Sequence, residues 1–200
     1  MNANKGAKIK FGKKMLAVAV IAIVVVAVVA SWQIYELSSN SKSKVTLPNL
    51  SLTLVGADGQ QKILNSNELA ALKSITANGG YSEEGKTYVG NFTGVPLLTL
   101  LNLVGGVTSS DNVTVTGSDG YQTTFTYQQV QGLNLTTYDP TTDATVQPSQ
   151  PLTVIVAYYC NCTSLASDKG PLSIALVGPQ GLLTEGSYWA YFLVKIEIKS

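Results

Sequence analysis

Two residue types are missing from this 200-residue chain, which has no histidine and no arginine. Without histidine there is no Ser/His/Asp triad and no histidine-ligated zinc site. Without arginine there is no planar fork to grip a carboxylate or phosphate in two-point contact. Cysteine is scarce as well: Cys160 and Cys162 are the only two, too few for a disulfide framework or a four-cysteine metal site. No glycine-rich phosphate loop precedes a helix, and no internal repeat is visible. Acids are absent from the first fourteen residues, where Lys5, Lys8, Lys10, Lys13 and Lys14 crowd together.

The charge that is present is segregated. From Trp32 onward eight lysines face twelve acids, a net charge of −4. Nucleic acid is therefore not an expected partner, because phosphate neutralisation needs clustered cations. After the basic stretch (1–14) comes an uninterrupted apolar run, residues 15–30. With Phe11 before it and Trp32 and Tyr35 after it, the run matches a bilayer core, which takes about 20 residues or slightly fewer. The lysine flank predicts a cytoplasmic N-terminus, and the aromatics suit the opposite interface. A single-pass signal-anchor helix over 15–35 is the expectation, with the rest of the chain extracytoplasmic. A cleaved signal peptide is the rival, ending at Val28-Val29-Ala30 before Ser31. Residues 36–47 are Ser/Asn/Lys-rich and read as a flexible tether, and residues 48–200 as the external domain.

Sequons at Asn49, Asn91, Asn112, Asn134 and Asn161 are candidate glycosylation sites and fit an external location. The domain pattern predicts strands with two or three short helices, an α+β class with a β-rich mixed sheet. Residues 50–55 alternate and turn at Asp58-Gly59 into a second strand, 61–64. A short helix over 68–73 is capped by Ser66 or Asn67, and a leucine-rich helix over 95–103 starts at Pro96 and stops at Gly105-Gly106. Residues 113–116 and 122–127 are strands about a tight turn, and 133–151 is a long loop. The apolar run 152–159 is a central strand, with 172–177 and 191–198 closing the sheet.

Candidate chemistry is sparse. If the central strand continues through Cys160-Asn161-Cys162, both sulfurs share a face. Three readings stand: two small packed residues, a disulfide, or a soft-metal site such as one for Cu(I). Asp119-Gly120-Tyr121 is turn chemistry that can also line a ligand pocket. Glu83-Glu84, Asp139 and Asp143 read as solvated or cation-binding loop carboxylates, and Tyr81, Tyr88, Tyr158, Tyr159, Tyr188 and Tyr191 as core or rim aromatics.

In order along the chain, these pieces resemble the molybdopterin-binding domain of sulfite-oxidase-type oxidoreductases. The stretch from Tyr88 through Gly94-Val95-Pro96-Leu97 to Leu100-Leu101 is similar to the family's Gly-Val-Pro-Leu helix entry. The strand from Val113 into Asp119-Gly120-Tyr121, the Val154–Tyr158 strand, Gly170-Pro171-Leu172, and Trp189 with the strand ending at Ile198 follow in family order. The resemblance implies the family fold over about residues 50–198, and molybdopterin as the cofactor if the chemistry is kept. It also makes Lys169 and Gly170, with Asp119, Gly120 and Tyr121, the candidate cofactor- or ligand-binding residues. The chain departs from the family by lacking arginine and histidine, by Ser173 in place of the usual arginine, and by having no cysteine within 75–91.

Two functions follow. One is a membrane-anchored binding domain for a protein or small-molecule ligand, with no cofactor and no catalytic residue. The other is a divergent molybdopterin-dependent oxidoreductase.

Overall fold

The structure, a computed structural model, describes residues 47–161 and 163–200. The expected membrane helix, nearly all of the tether and Cys162 lie outside the described residues. Among the described residues no helix is long and apolar enough to cross a membrane.

The first sheet grows from simple alternation. In β1 (Ser51–Val55) Leu52 and Leu54 are fully buried, while Ser51 and Thr53 lie on the opposite face. The Asp58-Gly59 turn returns the chain as β2 (Gln61–Asn65), antiparallel to β1 as the sequence predicts. The short helix α1 (Ser66–Ala71) begins earlier than expected, because its cap is Asn65. The Asn65 side chain accepts from the amides of Asn67 and Glu68, and Glu68 reaches back to the Asn65 amide. Ser66 instead ties the helix start to Leu50 and Pro48.

A long hairpin follows, which the sequence pattern does not announce. It joins β3 (Ile75–Glu83) to β4 (Lys86–Pro96) in unbroken antiparallel register. Glu84 and Gly85, both at positive φ, form its two-residue turn. The polar, glycine-containing run Ala77-Asn78-Gly79-Gly80 hides the strand signal. Pro96 ends β4 and caps α2 (Leu97–Leu101), whose Leu97, Leu100 and Leu101 are buried, before a short 3-10 turn stops at Gly105. At Gly94 a Cβ would sit 2.2 Å from the Val156 carbonyl oxygen, so the Gly-Val-Pro-Leu motif keeps glycine where two strands press together.

Next come β5 (Asn112–Gly117), β6 (Gln122–Thr126) and the one-turn helix α3 (Tyr127–Val130). The expected long loop holds a two-residue strand, β7 (Thr137–Tyr138). β8 (Thr153–Cys160) is the central strand anticipated from its apolar run, flanked by β4 and by β10 (Ser173–Gly178). The short β9 (Thr163–Ser164) folds back on β8, and β11 (Leu183–Glu185) precedes β12 (Leu193–Lys199). The last strand starts two residues later than expected, because Phe192 has a left-handed backbone. A bulge between Leu193 and Lys195 then turns Val194 outward, 38% exposed, and restores the buried phase at Ile196 and Ile198.

The strands form two sheets. One has the order β2-β1-β12-β5-β6 with β1 and β12 parallel. The other has the order β10-β8-β4-β3-β11-β7, and a further β10–β3 pairing closes four of its strands into a ring. Both sheets are mixed, and the helices are short, as an α+β class requires.

Candidate functional site

The β3–β4 hairpin and the segment between β11 and β12 build one aromatic wall. Tyr81 and Tyr88 are direct partners across the hairpin, and their rings stack with centroids 4.7 Å apart. Trp189 adds a ring 5.0 Å from Tyr81 and 5.1 Å from Phe92, and its indole N–H donates to the Thr184 hydroxyl at 2.8 Å. Tyr191 lies 6.3 Å from Tyr81.

Into this wall reaches Lys169, from the loop between β9 and β10. Its Nζ donates to the Tyr81 hydroxyl at 2.8 Å and stands 4.1 Å from the Tyr191 ring centre and 5.1 Å from that of Tyr88. The Tyr81 ring centre is 5.4 Å away, so Lys169 addresses Tyr81 through its hydroxyl edge and the other two through their faces. The ion pairs among the described residues both lie on β12, Lys195–Glu197 and Lys199–Glu197. The rings therefore do for Lys169 what a carboxylate does elsewhere. The Tyr191 hydroxyl is buried without a hydrogen bond of ordinary geometry, and the Tyr81 hydroxyl lies near it. Burial above all, then the Tyr81 hydroxyl and the charges of Glu83 and Asp168, push its ionisation far above the normal phenol range.

Backbone bonds fix this arrangement. Lys169 N–H donates to Ala166, the Phe192 N–H donates to the Lys169 carbonyl at 3.2 Å, and the Ser118 N–H donates to the Phe192 carbonyl at 2.9 Å. Gly170, at φ +71°, leaves no room for a Cβ against Phe192. The two expected ligand segments, 119–121 and 169–170, are thus joined through the backbone of Phe192, but their side chains do different work. The Asp119 carboxylate accepts from the Tyr121 amide at 3.0 Å, and Gly120 takes φ +86°, so this is a turn. The Tyr121 hydroxyl donates to the Ser187 carbonyl at 2.7 Å. Burial, then the charge of Glu83, raise the Tyr121 pKa.

Cys160 closes β8 opposite Phe92 and is a free thiol. Its Sγ stands 2.6 Å from where a Cβ on Gly90 would be, so it packs on a bare stretch of β4. Burial raises its pKa, with Lys169 pulling the other way. The central strand does not continue through Asn161. Cys160 already pairs with Thr163, and Asn161 takes a left-handed backbone, so the strand ends at Cys160.

Of the carboxylates, Asp139 takes amide bonds from Thr141 and Thr142 in its own turn, which lower its pKa. Among the described residues no group of three or more His, Cys, Asp or Glu is placed to hold a metal ion. Beside Gly170 an open cleft of about 510 Å³ runs between Leu47, Pro48, Leu165, Pro171 and Phe192, with serines its only polar side chains. The lysine cage was legible only in retrospect. Tyr81 and Tyr88 sit symmetrically about the Glu84-Gly85 turn, which pairs them once the hairpin is recognised.

No protein-family profile matches the chain, and no curated protein matches it in sequence. Among solved structures it is similar to the sulfane dehydrogenase SoxCD from Paracoccus pantotrophus, with a TM-score of 0.54 and 17% identity. The match covers 75% of this chain and 38% of that one, so the chain spans well under half of its neighbour. At this identity the likeness shows a shared fold and nothing more.

Proposed function

We propose that the chain is a membrane-tethered, extracytoplasmic binding domain that uses a molybdopterin-oxidoreductase-like fold without the molybdenum cofactor. The observation that carries this reading is the position of Lys169. Molybdopterin bears a phosphate and a metal that takes a soft ligand, and burying that charge needs paired cations and hydrogen bonds. The cation beside Gly170-Pro171-Leu172 is turned into tyrosine rings instead. The β3–β4 hairpin offers no thiol, and the Cys160 thiol is packed on Gly90 and held protonated by burial. These residues do not fit molybdopterin. The buried leucines, valines and isoleucines of β8, β10, β12 and α2 supply a core that needs no ligand.

The tether and external placement are supported by the five N-terminal lysines and the apolar run that follows them. The oxidoreductase alternative draws on the fold shared with a sulfane dehydrogenase. Production of the full chain in a host that makes the cofactor, followed by molybdenum measurement and pterin extraction, separates the two. A binding domain yields neither in stoichiometric amount, and stoichiometric recovery of either restores the oxidoreductase.

A further inference from the structure

The five sequons differ in how their side chains are held. Asn91 is half-buried in β4, its Nδ2 donates to the Asn78 side-chain oxygen at 2.9 Å, and the Thr93 hydroxyl bonds that of Thr76 at 2.8 Å. Asn161 is locked to the same strand. Its N–H donates to the Asn91 carbonyl at 2.8 Å, its Oδ1 accepts from the Asn91 amide at 3.0 Å, and the Thr163 hydroxyl donates to the Cys160 carbonyl at 2.9 Å. Asn112 has an exposed side chain but lies within β5, paired on both sides, and its Thr114 is buried against Thr124. Asn49 and Asn134 share the exposure and the place outside the strands that Asn161 has, but not its hydrogen bonds. Both are exposed, both lie outside the strands, and neither their side chains nor the hydroxyls of Ser51 and Thr136 are held by a hydrogen bond among the described residues.

We infer that Asn49 and Asn134 are the N-glycosylation sites of this domain, and that Asn91, Asn112 and Asn161 stay unmodified. The transfer joins the asparagine Nδ2 to the anomeric carbon of a sugar. The bond from that carbon to the phosphate of a lipid-linked oligosaccharide donor breaks, and the amide gives up one proton. The acceptor must offer its amide in the open, with the hydroxyl two residues on within reach of the enzyme. A sugar on Asn91 Nδ2 takes one of the two amide hydrogens and crowds the cross-strand bond to Asn78, and one on Asn161 crowds the β8 turn. A sugar at Asn134 projects from a loop whose backbone is already left-handed at φ +52°, and one at Asn49 stands where the chain enters the domain.

This inference rests on the extracytoplasmic placement proposed above. The test takes the full chain from its own membranes, maps glycopeptides by mass spectrometry, and compares Asn49→Gln, Asn134→Gln and the double variant. Each single variant loses one glycan's mass, and the double variant runs as the bare chain. Occupancy at Asn91, Asn112 or Asn161, or no glycan at all, overturns the inference. Protease added to intact cells tells the two failures apart. If the domain is cut yet bare, only the glycosylation inference falls; if it is protected, the external placement falls with it.

Discussion

The Lys169 ammonium lies 4.1 Å from the centre of the Tyr191 ring, whose own hydroxyl is buried without a hydrogen bond of ordinary geometry. A cation set against ring faces and a buried phenol is an arrangement that serves packing. It pins the β9–β10 loop to the hairpin wall through side chains, as Phe192 pins it through the backbone.

The Tyr191 hydroxyl, buried without a hydrogen bond of ordinary geometry, makes Tyr191→Phe a stabilising substitution. A buried polar group without a partner costs about 1–3 kcal/mol, and phenylalanine keeps the ring beneath Lys169. Urea unfolding of the variant is expected to give a midpoint above that of the parent by about 1 kcal/mol in stability. A lower midpoint means the hydroxyl has a partner in the working protein.

Gly90→Ala places a methyl against the Cys160 sulfur, 2.6 Å from it, and against the Phe92 ring. Overpacking of this kind destabilises by about 1–3 kcal/mol. Because the sulfur is the tightest contact, the Phe92 ring carbons lying 3.2 Å away, Cys160→Ala in the same chain is expected to recover most of the loss. A double-mutant cycle reads this coupling directly; additive losses rule out the contact.

Much of the fold was legible where burial imposes a period. Leu52 and Leu54 in β1, the apolar run of β8 and the leucines of α2 each announced their element. The β3–β4 hairpin was not, because its buried positions include Gly79, Gly80 and Gly94, whose places are set by the neighbouring backbone and not by hydrophobicity. Its loss from the sequence reading also hid the lysine cage, since Tyr81 and Tyr88 meet only across that hairpin. Asp119-Gly120-Tyr121 was legible as a turn for the opposite reason, its chemistry being local.

Cys160 should react slowly with alkylating reagents at neutral pH. Burial raises its thiol pKa above the usual cysteine value, and Lys169 partly opposes that rise. In a Cys162→Ala background, the pH profile of alkylation is expected to climb only on the alkaline side of an ordinary thiol. Lys169→Met shifts the profile further upward. An unchanged profile in that variant removes Lys169 from the thiol's surroundings.

Asp111 gives the domain an acid-sensitive contact. Its carboxylate accepts from the Thr108 amide and hydroxyl, both at 2.7 Å, and from the Ser200 hydroxyl at 2.9 Å. The Thr108 amide bond, then the two hydroxyls, lower its pKa. A lowered carboxyl contributes stability that is full above the unfolded value, about 3.9, and is lost as pH falls through the folded one. Asp111→Asn is therefore less stable than the parent at neutral pH, and the two unfolding curves converge as pH falls below about 4. A gap that persists undiminished in acid assigns the effect to shape and not to charge.

The central claim is that the domain is complete without molybdopterin, and linkage tests it. A group that binds the folded state raises the unfolding midpoint, by about 2.7 kcal/mol at a hundredfold excess over its dissociation constant. The full chain is purified from two otherwise identical hosts, one able to make the cofactor and one not, and its thermal unfolding is followed by circular dichroism. The account predicts one transition with the same Tm from both hosts. A higher Tm from the cofactor-making host, lost on extraction of the pterin, contradicts it.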